Sequence, residues 1–310
     1  MKRAYRLALA CLPDYSSKFS RKDFTLPQLF ACLVVREHQK KSYRGVEALL
    51  ADCPPWLADI GLTRAPDHNT LCRAFGVILK PSRINSMLDL TALWGRRLGL
   101  IEGRVKPVAL DSSMFESRHV SRHFEKRCRK TAQQEAKKAR KQAKREANLR
   151  RSRVVKRLPK LSLAVATASH LILAAVATTG AGGDQPFFGP LLRQARRRVA
   201  FRTGVGDAGY DSEDNHRLAR EEMGVRSVIP PKSGRPTDNA PPTHYRRLMK
   251  QRFARKADKA AYGQRWQVET VNSMMKRNMG SALRAHTARR RSRELLLRVL
   301  THNLMIIMLE

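Results

Sequence analysis

Negative charge is what this chain is short of: 26 Asp and Glu stand against 62 Lys and Arg, a formal net charge of +36 over 310 residues. Such a surplus repels itself in the compact state and attracts polyanions. It points to nucleic acid, where each neutralised phosphate releases condensed counterions. An anionic membrane is the other polyanion to consider, but neither an amphipathic anchor nor a lipidation motif is present. Cysteine is sparse too. Cys11, Cys32, Cys53, Cys72 and Cys128 lie far apart, with no Cys-x-x-Cys pair and no His at zinc-finger spacing, and read as thiols of a reducing compartment. His119 and His123 are four apart with no third ligand nearby, which makes a weak metal case and favours a solvated or phosphate-contacting pair. Only one long apolar run exists, "LSLAVATASHLILAAVATTG". Ser162, Thr167, Ser169 and His170 interrupt it, which favours two buried strands with a turn near Ser169 over a membrane span. The glycines of "GAGGDQPFF" are not followed by Gly-Lys-Ser/Thr, so no nucleotide-binding P-loop is present, and Asp184 there reads as the cap of the next helix. The N-terminus lacks the apolar core and cleavage site of a signal peptide, and a cytoplasmic, nucleoid-associated protein is expected.

Hydrophobic residues make up 42% of the chain, enough for a real core. Two domains are expected, 1–100 and 101–310. In the first, "TLPQLFACLVVREHQ" has apolar positions at helical spacing, with Thr25 as N-cap and Pro27 in the first turn. "SYRGVEALLADCP" predicts a second helix ended by Pro54 and Pro55, and "RAPDHNTLCRAFGVIL" a third that carries Arg73. Short helices joined by a polar turn suit a helix-turn-helix reader of duplex DNA, and they also suit a plain helical domain.

From about Lys106 the pattern changes. "VKPVALDSSMF" predicts a strand over Val105 to Leu110 that ends in Asp111. A basic helical insertion follows at about 117–158, with seventeen Lys or Arg and three Glu between Ser117 and Arg157. Its alanines recur at helical intervals, and Lys137, Lys138, Arg140, Lys141, Lys144 and Arg145 are candidate phosphate contacts. Then come the two apolar strands, a helix, a strand running into Asp207, a helix capped near Ser212, the strand "VRSVIPP", a Pro-rich loop and a long helix from about Lys256. This order predicts an α/β fold, a mixed sheet flanked by helices.

"YGQRWQVETVNSMMKR" falls on that long helix. Tyr262, Arg265, Glu269 and Lys276 follow at steps of three, four and seven. At about 100° per residue they fall within roughly 60° of one another, one stripe along one side. An exposed face with an ordinary Arg–Glu pair has the same spacing. Three carboxylates, Asp111, Asp207 and Glu269, come from separate elements, as hard cations such as Mg²⁺ require. Asp211, Glu213 and Asp214 compete with Asp207 on spacing alone.

"ALDSSMF", "GDAGYDSE" and "YGQRWQVETVNSMMKR" together resemble the DDE transposases of bacterial insertion sequences, in the branch marked by Tyr, two residues, Arg, three residues, Glu, six residues, Lys. "SYRGVEALLAD" and "GLTRAPDHNTLCRAF" resemble the N-terminal region of the same proteins. The resemblance implies a ribonuclease H-like catalytic domain and a transposase. Asp111, Asp207 and Glu269 would hold two Mg²⁺ or Mn²⁺ ions, while Tyr262, Arg265 and Lys276 contact the DNA backbone. The implied partners are double-stranded DNA, as transposon terminal repeats and target DNA, and a second copy in a homodimer on DNA. Trp266 reads as core, with stacking on an unpaired base as the alternative. The rival readings are a non-catalytic DNA-binding protein of transposase ancestry and a ribonuclease H-like nuclease without strand transfer.

Overall fold

The computed structural model describes residues 1–103, 106–117, 158–180, 182–232 and 241–308. The basic insertion, with Lys137, Lys138, Arg140, Lys141, Lys144, Arg145, His119, His123 and Cys128, lies outside the described residues. The N-terminal part is helical: α1 (Lys2–Leu9), α2 (Leu26–His38), α3 (Tyr43–Ala51), α4 (Pro54–Ala58), α5 (His68–Ile78) and α6 (Pro81–Arg97). Local chemistry sets these boundaries. Thr25 and Gln28 form a capping box, Gln28 N–H donating to Thr25 Oγ1 at 3.4 Å and Thr25 N–H to Gln28 Oε1 at 2.8 Å. Asp67 caps α5 by accepting from the N–H groups of Asn69 and Thr70. Pro54 and Pro55 do more than stop α3. Lacking N–H groups, they suit a first helical turn and open α4.

The sheet follows. Strands β1 (Val108–Met114), β3 (Pro159–Ala166), β4 (Ile172–Thr179), β5 (Thr203–Gly206) and β6 (Arg226–Val228) lie in the order β4-β3-β1-β5-β6. β1 is antiparallel to β3 and parallel to β5, and β5 is parallel to β6. The β3–β4 hairpin turns at the expected place, with His170 in the left-handed region. The expected end of β1 at Asp111 is corrected. The strand runs on to Met114, because β3 continues opposite it and pairs Asp111 with Leu163 and Ser112 with Ser162. A two-residue strand β2 (Glu116–Ser117) also escaped the sequence reading; it pairs with β7 (Ala282–Leu283) near the far end of the chain.

Helices cover both faces. On one, α7 (Phe188–Arg198) packs Leu191 and Leu192 against Val108, Leu110 and Leu173. On the other, Ala109, Leu163 and Val165 meet Val268, Val271 and Met275 of α11 (Trp266–Met279) and Leu297, Leu300 and Leu304 of α12 (Ala288–Met308). Phe30 and Leu33 of α2 and Leu71 and Phe75 of α5 belong to this same apolar cluster, so packing continues across the change from helices to sheet at residue 100. α12 also covers the edge strand β4, where the Asn303 amide both accepts from and donates to Ile172 backbone at 2.9 Å. A mixed sheet with helices on both faces is the expected architecture, and it is consistent with a ribonuclease H-like domain.

The long helix expected from Lys256 is three pieces: α9 (His244–Ala254), α10 (Lys259–Gly263) and α11. Arg252 reaches around the first break to Asp258 at 2.6 and 2.8 Å, and Lys256 takes a positive φ there. A second break falls at Gln264 and Arg265, after Gly263, a weak helix former. Between α9 and β5, α8 (Glu213–Arg217) is capped by Ser212 as expected and runs on as π-helix over Leu218–Glu222.

Beneath the end of α11 lies a buried ion network. Glu37 of α2 accepts from Arg298 of α12 at 2.8 Å and from Arg284 at 2.7 Å. Arg298 also reaches Glu294 at 3.2 Å and the Ala282 carbonyl at 3.1 Å. Glu294 in turn accepts from the backbone N–H of Arg284 and Ala285. The segment just after α11 is thereby pinned between α2 and α12.

Candidate active site

The β1–β5 ladder ends at the pair Leu110–Gly206, so Asp111 and Asp207 are the next residues of two neighbouring parallel strands. Beyond Asp207 the chain closes into a 3-10 turn over Ala208–Tyr210, with Tyr210 N–H donating to the Asp207 carbonyl at 3.0 Å. Glu269 stands in the first turn of α11, and Lys276 lies two turns further on. An open depression of about 420 Å³ separates strand from helix, lined by Asp111 and Ser113 on one side and Glu269, Asn272, Ser273, Lys276 and Arg277 on the other. Lys276 Nζ spans it, donating to Ser113 Oγ at 2.7 Å and lying 5.1 Å from the centre of the Phe115 ring.

Charge in the depression is tightly coupled. Burial pushes the Asp111 carboxyl up to about 6; the Ser112 N–H and Arg265 oppose this, and the negative charges of Asp207 and Glu269 add to it. Arg265 pairs with Glu269 Oε1 at 2.6 Å. Burial works against the Arg265 charge, but Tyr262, Glu269, Asp111 and Asp207 outweigh it and raise its pKa. Burial also raises the Tyr262 phenol, Arg265 pulling it down and Asp207 pushing it up. The Tyr262 ring is held edge-on against Phe253, with the Arg265 guanidinium 5.8 Å from its centre.

The structure therefore brings Asp111, Asp207, Glu269, Tyr262, Arg265 and Lys276 to one place. The single-helix stripe is corrected, since Tyr262 lies on α10 and Arg265 at the junction with α11. Arg73 is exposed on α5, outside the lining of the depression. Trp266 is 56% exposed at the start of α11, a correction to its reading as core. The competitors of Asp207 are accounted for elsewhere. Asp211 accepts from Arg246 Nε at 3.0 Å and the Lys232 N–H at 2.9 Å. Burial raises its carboxyl, but hydrogen bonds from His216, Lys232 and Arg246 win and the pKa is lowered. Glu213 accepts from two backbone N–H groups, of Tyr245 and Arg246, and Asp214 is exposed. Asp211, His216 and Ser227 form a chain of contacts with the order of a hydrolytic triad, but all three are buried, and a nucleophile needs access to its substrate.

Sequence reasoning missed Ser113, Asn272 and Arg277. Asn272 carries a usable signal, three residues after Glu269 and four before Lys276, the spacing of one helix face. Its Oδ1 is buried without a hydrogen-bond partner. Asp184 is corrected as well. It sits at the expected N-cap position, but its side chain makes no cap bond and is engaged by Ser112 and Lys160 instead.

Among the described residues, no three His, Cys, Asp or Glu side chains gather closely enough to hold a metal ion. The donor chemistry nevertheless suits a hard divalent cation. Asp111 and Asp207 follow the last paired residues of two neighbouring parallel strands, and the Asp111 carboxyl is raised by burial first, with the charges of Asp207 and Glu269 adding, a cost that a cation would relieve. Glu269 would have to leave Arg265 to join them.

A mixed sheet with two carboxylates just past the last paired residues of adjacent parallel strands and a third on a neighbouring helix is the layout of a protein that acts on phosphodiesters. Residues 106–304, close to two thirds of the chain, match the family described as transposase DDE domain, and the protein belongs to that family. The family uses divalent metal ions and binds DNA, as the sequence resemblance implied. No curated protein matches the chain. No described helix is long and apolar enough to cross a membrane.

Proposed function

We propose that this protein is a transposase of the Tyr-Arg-Glu-Lys branch. It cuts DNA at the ends of its own element and joins the freed 3′-hydroxyl to target DNA. The observation that carries this reading is that Asp111 and Glu269 line one depression and Asp207 lies close enough for its charge to add to the burial that pushes the Asp111 carboxyl up to about 6. These three side chains would hold two Mg²⁺ or Mn²⁺ ions. When bound, the ions supply an activated oxygen nucleophile and charge stabilisation for the leaving oxygen, and no other cofactor is needed.

The chain's own groups do the rest. Lys276 and Arg265 present positive charge on either side of Glu269 and would grip the phosphates flanking the scissile bond, Arg265 through its planar fork. Tyr262 holds the Arg265 guanidinium in place and offers its hydroxyl to the same backbone. Residues 1–100, with Arg73 exposed on α5, and the basic insertion would bind the element's terminal repeats. Holding two ends at once calls for a homodimer on DNA.

One observation favours a rival. The Arg265–Glu269 pair leaves the third carboxylate bound to a cation of the protein, as a non-catalytic DNA-binding protein of the same ancestry would tolerate. The test is a strand-transfer assay with labelled element ends, a supercoiled target plasmid and Mg²⁺ or Mn²⁺, comparing wild type with Glu269→Gln. Joined product from wild type alone supports the transposase. Cleavage without joining supports a nuclease, and salt-sensitive binding without cleavage supports the DNA-binding protein.

A further inference from the structure

Behind the depression, between the strand of Asp111 and the turn that begins at Asp207, one further carboxylate is built into the fold. Asp184 leads into the 3-10 turn Gln185–Phe187 but caps nothing. Its Oδ1 accepts from Ser112 Oγ, on the residue directly after Asp111, and pairs with Lys160 Nζ of β3. Lys160 is only 5% exposed and is itself fixed, since Nζ also donates to the Gly182 carbonyl at 2.8 Å. The other oxygen faces the Asp207 side. A Cβ placed on Gly209 would stand 3.1 Å from Asp184 Oδ2, so the carboxylate rests on the backbone of the turn two residues after Asp207. A second fastening joins the same two turns, where Asn215 Nδ2 donates to the Gln185 carbonyl at 3.0 Å and the Tyr210 carbonyl at 2.9 Å.

We propose that Asp184, held by Lys160, is a positioning residue that sets the distance and orientation between Asp111 and Asp207. The inference rests on the reading of those two residues as metal-holding carboxylates. Asp184 touches both of their supports and neither of their carboxylates. Stability alone is a poor reason for such a pair, because a buried ion pair often does no better than apolar side chains of the same size. What it supplies is geometry: Ser112 can satisfy Asp184 only in one strand register, and a side chain on Gly209 would make the carboxylate give by a few tenths of an ångström. Metal-holding side chains need placement to within about 0.5 Å, and loss of a supporting contact typically weakens metal affinity about 10- to 100-fold. Gly209 then has a specific role, since a side chain there would push on the carboxylate that aligns the site.

The test reads metal affinity without catalysis, by titrating the DNA-free protein with Mn²⁺ and following the resonance of the free ion. Asp184→Asn, which keeps the shape and removes the charge, is expected to weaken Mn²⁺ binding by about tenfold, and because it leaves the buried Lys160 without its counter-charge the titration is run well below the lowered unfolding temperature. Gly209→Ala perturbs the contact from the other side and is expected to weaken Mn²⁺ binding about threefold, a smaller loss of the same kind. Cleavage by either variant should recover at high Mn²⁺. Wild-type Mn²⁺ affinity in both variants overturns the inference, as does a loss that raised Mn²⁺ cannot rescue. Should Asp184→Asn not fold, Gly209→Ala and Ser112→Ala decide alone by the same criteria. A wild-type protein that binds no Mn²⁺ overturns instead the reading of Asp111 and Asp207 on which the inference stands.

Discussion

Arg265 and Glu269, one helical turn apart, meet at 2.6 Å on the rim of the depression that Asp111 and Lys276 share. Glu269 is half exposed, and an exposed pair at this spacing is worth only about 0.3–0.5 kcal/mol. A phosphate group presented to Arg265 would therefore displace the carboxylate easily. On the proposed function, DNA binding and the release of Glu269 toward the other two carboxylates would be a single event.

Removing the guanidinium tests this coupling. Arg265→Ala is expected to bind Mn²⁺ about twofold more tightly in the free protein, the equivalent of the pair's worth, while its affinity for DNA falls. Calorimetry for the ion and a binding titration for the duplex check the two halves. Mn²⁺ affinity that is unchanged or weaker contradicts the account.

Asp111 imposes a pH dependence on stability. Its carboxyl is raised from 3.8 to about 6 by burial first, with Asp207 and Glu269 adding. Between these two values the folded protein keeps a proton that the unfolded chain has released. Stability therefore falls as pH rises through that window, and the full cost is present above it. Asp111→Asn removes the cost, so the metal-free variant should be about 1–3 kcal/mol more stable than wild type at pH 8 and no more stable at pH 4. Added Mn²⁺ should stabilise wild type and leave the variant unchanged. Urea unfolding at the two pH values is the check, and a wild type that outlasts the variant at pH 8 in chelator counts against it.

Glu37 is a different case, buried and shared by Arg298 and Arg284. Glu37→Gln leaves Glu294, among the described residues, as the one carboxylate facing Arg284 and Arg298 and takes the counter-charge from the buried Arg36, and breaking a buried pair in this way typically costs about 3–5 kcal/mol. The urea midpoint should drop accordingly. A loss below about 1 kcal/mol would show that the network is not what pins the segment after α11.

Trp266→Ala should shift the unfolding free energy by no more than about 0.5 kcal/mol, as expected for an exposed side chain. A loss of several kcal/mol in the same unfolding experiment would restore the reading of Trp266 as core.

Where the determinants were local, the sequence was legible. Thr25 and Gln28 announce α2, Ser212 announces α8, and the polar residues around Ser169 mark the β3–β4 turn. Asp111, Asp207 and Glu269 were singled out by the family resemblance of three motifs, because spacing alone left Asp211, Glu213 and Asp214 in competition with Asp207. What stayed hidden depends on partners distant in sequence. Asp111–Ser113 reads as a strand end by polarity, and only the ladder to β3, about fifty residues on, keeps it extended. Asp184 looks like a cap until Ser112 and Lys160 are folded onto it. The helix breaks flanking Tyr262 place Trp266 in solvent, and no 3.6-residue pattern in the stretch reveals them.

The most direct test of the account is strand cleavage of a labelled duplex carrying the element's own end, in Mg²⁺, with wild type beside Asp207→Asn. The account predicts a metal-dependent nick at the element boundary that disappears in the variant while DNA affinity is retained. A nick that survives Asp207→Asn, or a wild type that binds the end and never cuts it, would contradict it.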